Sequence, residues 1–266
     1  MSDPIDVNRR YWDELAALHV HSGFYDVAGF KAGRCTLRPL DLEAVGDVTG
    51  KRLLHLMCHF GLDTLSWARR GARVTGCDFS AKAIELARNL AAECDIPAEF
   101  VCANLDDLPE HLSGEFDVVF TSEGVIPWLP DLKRWGEVIA HFLTPGGVFY
   151  VRNAHPFAAV FDDGADVPAI ADPYFSDGKP RRWENCGASY AVGEGVASPH
   201  HYEWTHTLSD VINALVDAGL RIEHVQEYPY VYFRWYPFMT QHEDGFWHWA
   251  EYPDAIPFMF SIRATK

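Results

Sequence analysis

The sequence predicts an α/β domain in which a largely parallel sheet is wound by crossover helices. Two observations carry that expectation. From Lys51 to about Pro156, short apolar runs alternate with amphipathic ones, the pattern of strand, crossover helix and neighbouring strand. After Pro156 the alternation lapses into a long stretch rich in Pro, Gly, Asp and aromatics, then resumes. A stretch that long inside a compact domain usually covers a site.

Taken in order, RLLHLMC is the first strand and LDTLSWARRG a short helix, with Gly71 placed to end it in a left-handed conformation. ARVTGCD is the second strand. Ser80 caps the next helix, whose Ala83, Ile84, Ala87, Leu90 and Ala91 recur at helical spacing. AEFVCANL and FDVVFTSEG supply two more strands. Leu132, Trp135, Ile139, Phe142 and Leu143 make another apolar stripe, and TPGG turns the chain into VFYVRNAHP. Beyond the irregular stretch, Leu208, Val211, Ile212, Leu215 and Val216 mark a helix ending at Gly219. The strands RIEHVQEYPYV and FMFSIRATK finish the sheet, separated by an aromatic segment.

Composition narrows the partners. A chain of 266 residues without a flexible linker reads as one elaborated domain. Its formal charge of −16, with no run of Lys or Arg, opposes a phosphate backbone, so no nucleic-acid partner is expected. MSDPIDVNRRYW has no apolar signal core and no later run is long enough to span a bilayer, so a cytoplasmic protein without a membrane partner is expected. The six cysteines form no CxxC pair, which suggests reduced thiols rather than a zinc cluster or disulfide framework. HHYEWTH and QHEDGFWHW lack a helical i, i+4 histidine pair enclosing a Glu. His200, His201, His242 and His248 are therefore read as surface or lid residues, and no metal is expected.

The segment LLHLMCHFGLDTL runs from the first strand into a turn and helix. Such a turn lets a ligand approach the backbone, and an acidic residue about twenty positions on can accept both hydroxyls of a ribose. Asp78 stands there. A dinucleotide fingerprint needs G-x-G-x-x-G, yet only Gly61 is present, which disfavours NAD. A nucleoside without phosphates needs less glycine.

At HLMCHFGLDTLSWARRGARVTGCDFSAKAIELAR the chain resembles the class I S-adenosylmethionine-dependent methyltransferases. Their first motif usually reads acidic-x-Gly-x-Gly-x-Gly, and His55, Met57, His59 and Gly61 fall on its four named positions. The segment looks like a bacterial branch in which the glycine run is replaced by Cys-His-Phe-Gly. The likeness extends through FDVVFTSEGVIPWLPDLKRW, TPGGVFYVRNAHP, YEWTHTLSDVINALVDAGL and the closing strand. It implies a Rossmann-like, doubly wound, seven-stranded sheet, mostly parallel with an antiparallel last strand, plus an N-terminal helical cap and lid insertions. Residues 1–266 form one domain on this reading: 1–49 the cap, 50–157 the cofactor-binding core, 158–205 a lid insertion, 206–266 the C-terminal helix and strands.

The resemblance also implies S-adenosylmethionine as cofactor, with S-adenosylhomocysteine as product. Asp78 would hold the ribose hydroxyls and Phe79 would lie on the adenine. Asn104 and the Leu105 backbone would meet the adenine edge. Met57, Cys58 and Gly61 would face the methionine portion, and Ser122 would sit beside the sulfonium. Aromatic residues make up 14% of the chain and gather in the extra segments, which suggests a flat or cationic small acceptor of a methyl group at N or O. The candidate acceptor contacts are Trp12, His21, Tyr25, Trp128, Tyr202, Trp204, Tyr230 and Trp235. His155 is the candidate general base. Two alternatives stay open at this point: a non-catalytic binder of S-adenosylmethionine or its product, and an NAD-linked oxidoreductase.

Overall fold

The computed structural model describes residues 3–266. Three helices precede the sheet: α1 (Pro4–His19), α2 (Val27–Lys31) and α3 (Pro39–Val45). Asp3 caps α1 by accepting the Ile5 N–H, and Pro4 fits the first turn because its missing N–H would have no helical partner there. The core then alternates β1 (Arg52–Leu56), α4 (Leu62–Arg69), β2 (Arg73–Asp78), α5 (Ala81–Glu93), β3 (Glu99–Cys102), α6 (Leu108–His111), β4 (Phe116–Thr121), α7 (Leu132–Phe142) and β5 (Leu143–Ala154). After it come β6 (Arg181–Glu184), β7 (His200–Glu203), α8 (Leu208–Asp217), β8 (Arg221–Tyr228), β9 (Tyr230–Val231), β10 (Met239–Gln241), β11 (Trp247–Trp249) and β12 (Met259–Thr265).

Seven strands form the main sheet in the order β3-β2-β1-β4-β5-β12-β8. Neighbours from β3 to β5 pair in parallel, and only β12 runs against both of its partners. The expected Rossmann-like sheet with an antiparallel last strand is therefore present. Strand order reverses between β1 and β4, and the crevice beyond their C-terminal ends is where such sheets take ligands. Alternate side chains feed two layers. Leu54 and Leu56 face α7 and α8 with Trp135, Ile139, Phe142 and Leu215. Leu53 faces the other way with Trp67, Val74 and Phe120. No helix among the described residues is long and apolar enough to cross a membrane.

Both irregular segments carry structure that sequence periodicity does not announce. Residues 158–205 contain the antiparallel pair β6–β7. The stretch read as one strand, 221–231, breaks at Pro229, and β9 joins β10 and β11 in a separate three-stranded sheet. That small sheet packs Val231, Tyr236, Phe238 and Phe258 against Ala158 and Phe161 from the first insertion, so the two excursions share one satellite core.

Helices α7 and α8 meet at Gly136, where a Cβ would stand 2.3 Å from the Ala214 carbonyl oxygen. Backbone cannot yield there as a side chain could. Gly136→Ala is expected to destabilise the fold by about 1–3 kcal/mol, read as a lower urea midpoint with an unchanged slope.

Candidate active site

The turn after β1 keeps a backbone that its sequence disfavours. Met57, His59 and Gly61 have φ of 55°, 51° and 81°, the left-handed region in which a Cβ costs roughly 1–2 kcal/mol. These are the three positions where the family motif has glycine. Cross-strand hydrogen bonds hold the conformation: the Cys58 N–H donates to the Cys77 carbonyl at 2.8 Å, and the His59 N–H to Asp78 Oδ2 at 2.9 Å. The remaining glycine is required by contact as well as by φ. A Cβ on Gly61 would meet Phe100 at 2.8 Å and Ala87 at 3.1 Å.

Asp78 ends β2 with Oδ1 accepting the Ser80 N–H at 2.9 Å. It is 8% exposed, and burial raises its pKa to about 6 against the lowering effect of those backbone N–H groups. Beside it a narrow cleft is lined by Met57, Phe79, Asn104, Leu105, Trp128 and, from α1, Ile5. Cys58 turns its thiol away from the cleft into the packing around Phe60 and Leu65, leaving only its backbone at the turn. Ser122 follows β4, with its Oγ 3.2 Å from His55 Nε2. His55 Nδ1 lies 2.8 Å from Thr64 Oγ1. Burial lowers the His55 pKa to about 3, so a neutral imidazole joins β1, β4 and α4 at the position where the usual motif has an acid.

Above the turn, α1 and the first insertion meet in an aromatic cluster. Trp12 lies edge-on to His59 with centroids 5.3 Å apart and to Trp128 at 5.0 Å. His19 Nδ1 is 3.3 Å from His59 Nε2, and its Nε2 is 2.9 Å from Ser189 Oγ. Burial brings the His19 pKa down to about 4. Burial, with His19 adding, holds the His59 pKa well below the usual range. Two neutral rings sharing one proton result. The Tyr25 and Tyr190 hydroxyls are 2.5 Å apart. Asn8 straps the insertion to α1 through both backbone groups of Tyr202, and Glu14 does so through Ser198. The Trp204 N–H donates to the Pro127 carbonyl at 2.7 Å beside Trp128.

The structure thus gathers Met57, Asp78, Phe79, Asn104, Leu105 and Trp128 around one cleft, with Trp12 and Tyr25 above the turn. Four other candidates lie elsewhere. His21 is exposed. Tyr230 stacks on Phe246 at 4.5 Å at the satellite sheet, and Trp235 on Tyr236 at 5.2 Å in the satellite core. His155 has no free nitrogen. Its Nδ1 accepts the Phe157 N–H at 3.0 Å and its Nε2 lies 2.8 Å from Glu227 Oε1. Burial lowers its pKa, with Glu227 opposing. Ile5, His19 and Tyr190 join the site without having been singled out, because α1 and the insertion carry no motif that names them. His248, read as surface or lid, is 7% exposed.

Residues 53–147 match the profile of a methyltransferase domain. A ubiquinone biosynthesis O-methyltransferase of Alkalilimnicola ehrlichii is 30% identical over 181 residues, 60% of this chain and 69% of that protein. The chain belongs to the class I S-adenosylmethionine-dependent methyltransferases. A ubiquinone biosynthesis O-methyltransferase of Xanthomonas euvesicatoria is 27% identical over 216 residues, 80% of this chain and 81% of the relative. A solved S-adenosylmethionine-dependent methyltransferase of Mesorhizobium loti superposes with a TM-score of 0.63 at 24% identity, covering 89% of this chain and 100% of that one. This methyltransferase therefore uses S-adenosylmethionine.

A histidine kept neutral by the fold makes stability fall in acid. His55 has a folded pKa of about 3 and an unfolded one near 6.5, so its contribution is complete above pH 6.5 and is lost as the unfolded chain takes up protons below it. The slope approaches about 1.4 kcal/mol per pH unit. His55→Gln is expected to flatten the loss between pH 6 and 4 by about that slope, measured by urea unfolding at several pH values.

Proposed function

We propose that this methyltransferase acts on the oxygen or nitrogen of a small molecule in the cytoplasm, with the cofactor held by the turn after β1. The observation that carries the reading is the left-handed backbone at Met57, His59 and Gly61, tied to the Asp78 carboxylate. An ionised carboxylate has about four acceptor sites; Asp78 uses two on Ser80 and His59, which leaves capacity for two ribose hydroxyls. Phe79 and Leu105 would enclose the adenine, with the Asn104 side chain at its amino edge. The backbone of Met57, Cys58 and Gly61 would face the methionine portion, with Ser122 near the reacting sulfur. The bound cofactor supplies an electrophilic methyl group on a sulfonium.

The protein's own contribution is alignment and dryness. Trp12, Trp128 and the strapped insertion cover the C-terminal ends of β1 and β4 and keep water away from them. Holding two reactants in line is worth roughly 7–11 kcal/mol, so no covalent enzyme nucleophile is needed. The resemblance to O-methyltransferases of ubiquinone biosynthesis supports a hydroxyl as the methylated group. The aromatic walls support a flat acceptor.

Calorimetry with S-adenosylhomocysteine tests the cofactor assignment. Micromolar binding is expected, and Asp78→Ala should weaken it about 100-fold, the loss of two hydrogen bonds to a charged group at roughly 1.5 kcal/mol each. Unchanged binding in that variant would remove the assignment. Affinity should also depend on pH. Asp78, with its pKa at about 6, accepts hydroxyl protons best when ionised, so binding should be constant above pH 7 and fall toward tenfold per unit below 6.

A further inference from the structure

Glu123, one residue past Ser122, is a carboxylate that neither the sheet nor the cofactor cleft uses. Its backbone is pinned on both sides. Ser122 is hydrogen-bonded to His55, and the Gly124 and Val125 N–H groups donate to Asn153 Oδ1 at 2.8 and 2.9 Å. Glu123 Oε2 accepts from Arg152 Nη1 at 2.5 Å. Arg152 in turn spans both oxygens of Asp41, through Nε at 2.9 Å and Nη2 at 3.3 Å. The Arg152 and Asp41 side chains are 4% and 0% exposed. A guanidinium fixed by a two-point pair therefore holds one oxygen of Glu123 in place.

The other oxygen, Oε1, is buried and has no hydrogen-bond partner in the chain. A carboxylate oxygen can only accept, and a buried acceptor without a donor is costly and rare. A second observation points to the same place. The Tyr232 hydroxyl is also buried without a partner, on a ring with the Arg38 and Arg152 guanidinium groups 4.3 and 4.7 Å from its centroid. Burial raises the Tyr232 pKa, Arg152 opposes the rise, and Asp41, Tyr230 and Glu123 add to it. Half of Tyr190 is exposed, but its hydroxyl turns inward to Tyr25; desolvation raises its pKa and the Glu123 charge contributes. Through Arg152, Glu123 adjoins Tyr232 of the second excursion.

We propose that Glu123 Oε1 receives the polar hydrogen of the methyl acceptor, and that the acceptor's nucleophilic atom is a hydroxyl oxygen or an amine nitrogen carrying a hydrogen. Arg152 and Asp41 are positioning residues that keep Oε1 aimed. The inference rests on the methyltransferase reading and deepens it, since thioethers, tertiary amines and quaternary centres offer no such hydrogen. In the transfer, the acceptor's lone pair forms the bond to the methyl carbon and the carbon–sulfur pair stays with sulfur. The acceptor's proton passes to Glu123 Oε1, and water later removes it.

The test is a titration of the complex with S-adenosylhomocysteine using two proton donors and their methyl-capped forms. The pairs are catechol with 1,2-dimethoxybenzene, and benzylamine with benzyltrimethylammonium. At least one donor should bind tenfold or more tightly than its capped form; catechol alone would assign a hydroxyl acceptor and benzylamine alone an amine. Glu123→Gln should abolish that preference, because its oxygen stays with Arg152 and an amide N–H faces the donor. Binding of S-adenosylhomocysteine should not change, and the melting temperature should fall by only a few degrees, because Arg152 keeps its pair with Asp41. Glu123→Asp, which keeps the carboxylate, should retain part of the preference. Equal binding of donors and capped forms, no binding by either donor, or a preference that survives in Glu123→Gln would overturn the proposal. Failure to bind S-adenosylhomocysteine would instead strike the cofactor assignment.

Discussion

The hydrogen bond from the His59 N–H to Asp78 Oδ2, at 2.9 Å, closes the turn after β1 onto the end of β2, and the geometry of the site follows from it. Two side chains larger than glycine occupy left-handed positions in that turn. Without a fixed acceptor at the neighbouring strand end, such a segment would relax to ordinary backbone angles. The Cys58 N–H bond to Cys77 performs the same service one residue earlier. Asp78 is therefore first a structural tie, and the proposed ribose contact can draw only on the lone pairs not used on backbone N–H groups.

Replacing the usual glycines has a second effect. A glycine turn presents bare backbone to the space above it, whereas this one raises an imidazole from His59 into the cluster of Trp12, His19 and Tyr25. The N-terminal helix and the first insertion then seat on that ring. Burial keeps His19, His55 and His59 uncharged, so these three rings add no positive charge beside Asp78. The buried charges concentrate instead at Asp41, Arg152 and Glu123 on the adjoining strand ends.

Much of this was legible in the sequence where periodicity is strong. The β1 to β5 alternation, the Ser80 cap and the Gly71 and Gly219 stops all appear where spacing and turn chemistry place them. That the β1 turn, the β2 end and the residues after β3 meet at one cleft was legible because a parallel sheet fixes which residues finish its strands, while the roles expected of them came from the family resemblance. The acceptor side was not. Tyr230 and Trp235 have the same aromatic character as Trp12, and only tertiary packing sends them to the satellite sheet. His155 has a suggestive position, yet its availability depends on Glu227, distant in sequence. Glu123 looks like an ordinary strand-end residue until Arg152 and Asp41 are seen around it.

Helix α1 touches both the cleft and the first insertion. Ile5 walls the cleft beside Asp78, while Asn8, Glu14 and His19 on the same helix carry the straps to the first insertion. A rigid rod cannot tilt at one end only. A shift of α1 at Ile5 would therefore be felt at the straps that seat the first insertion.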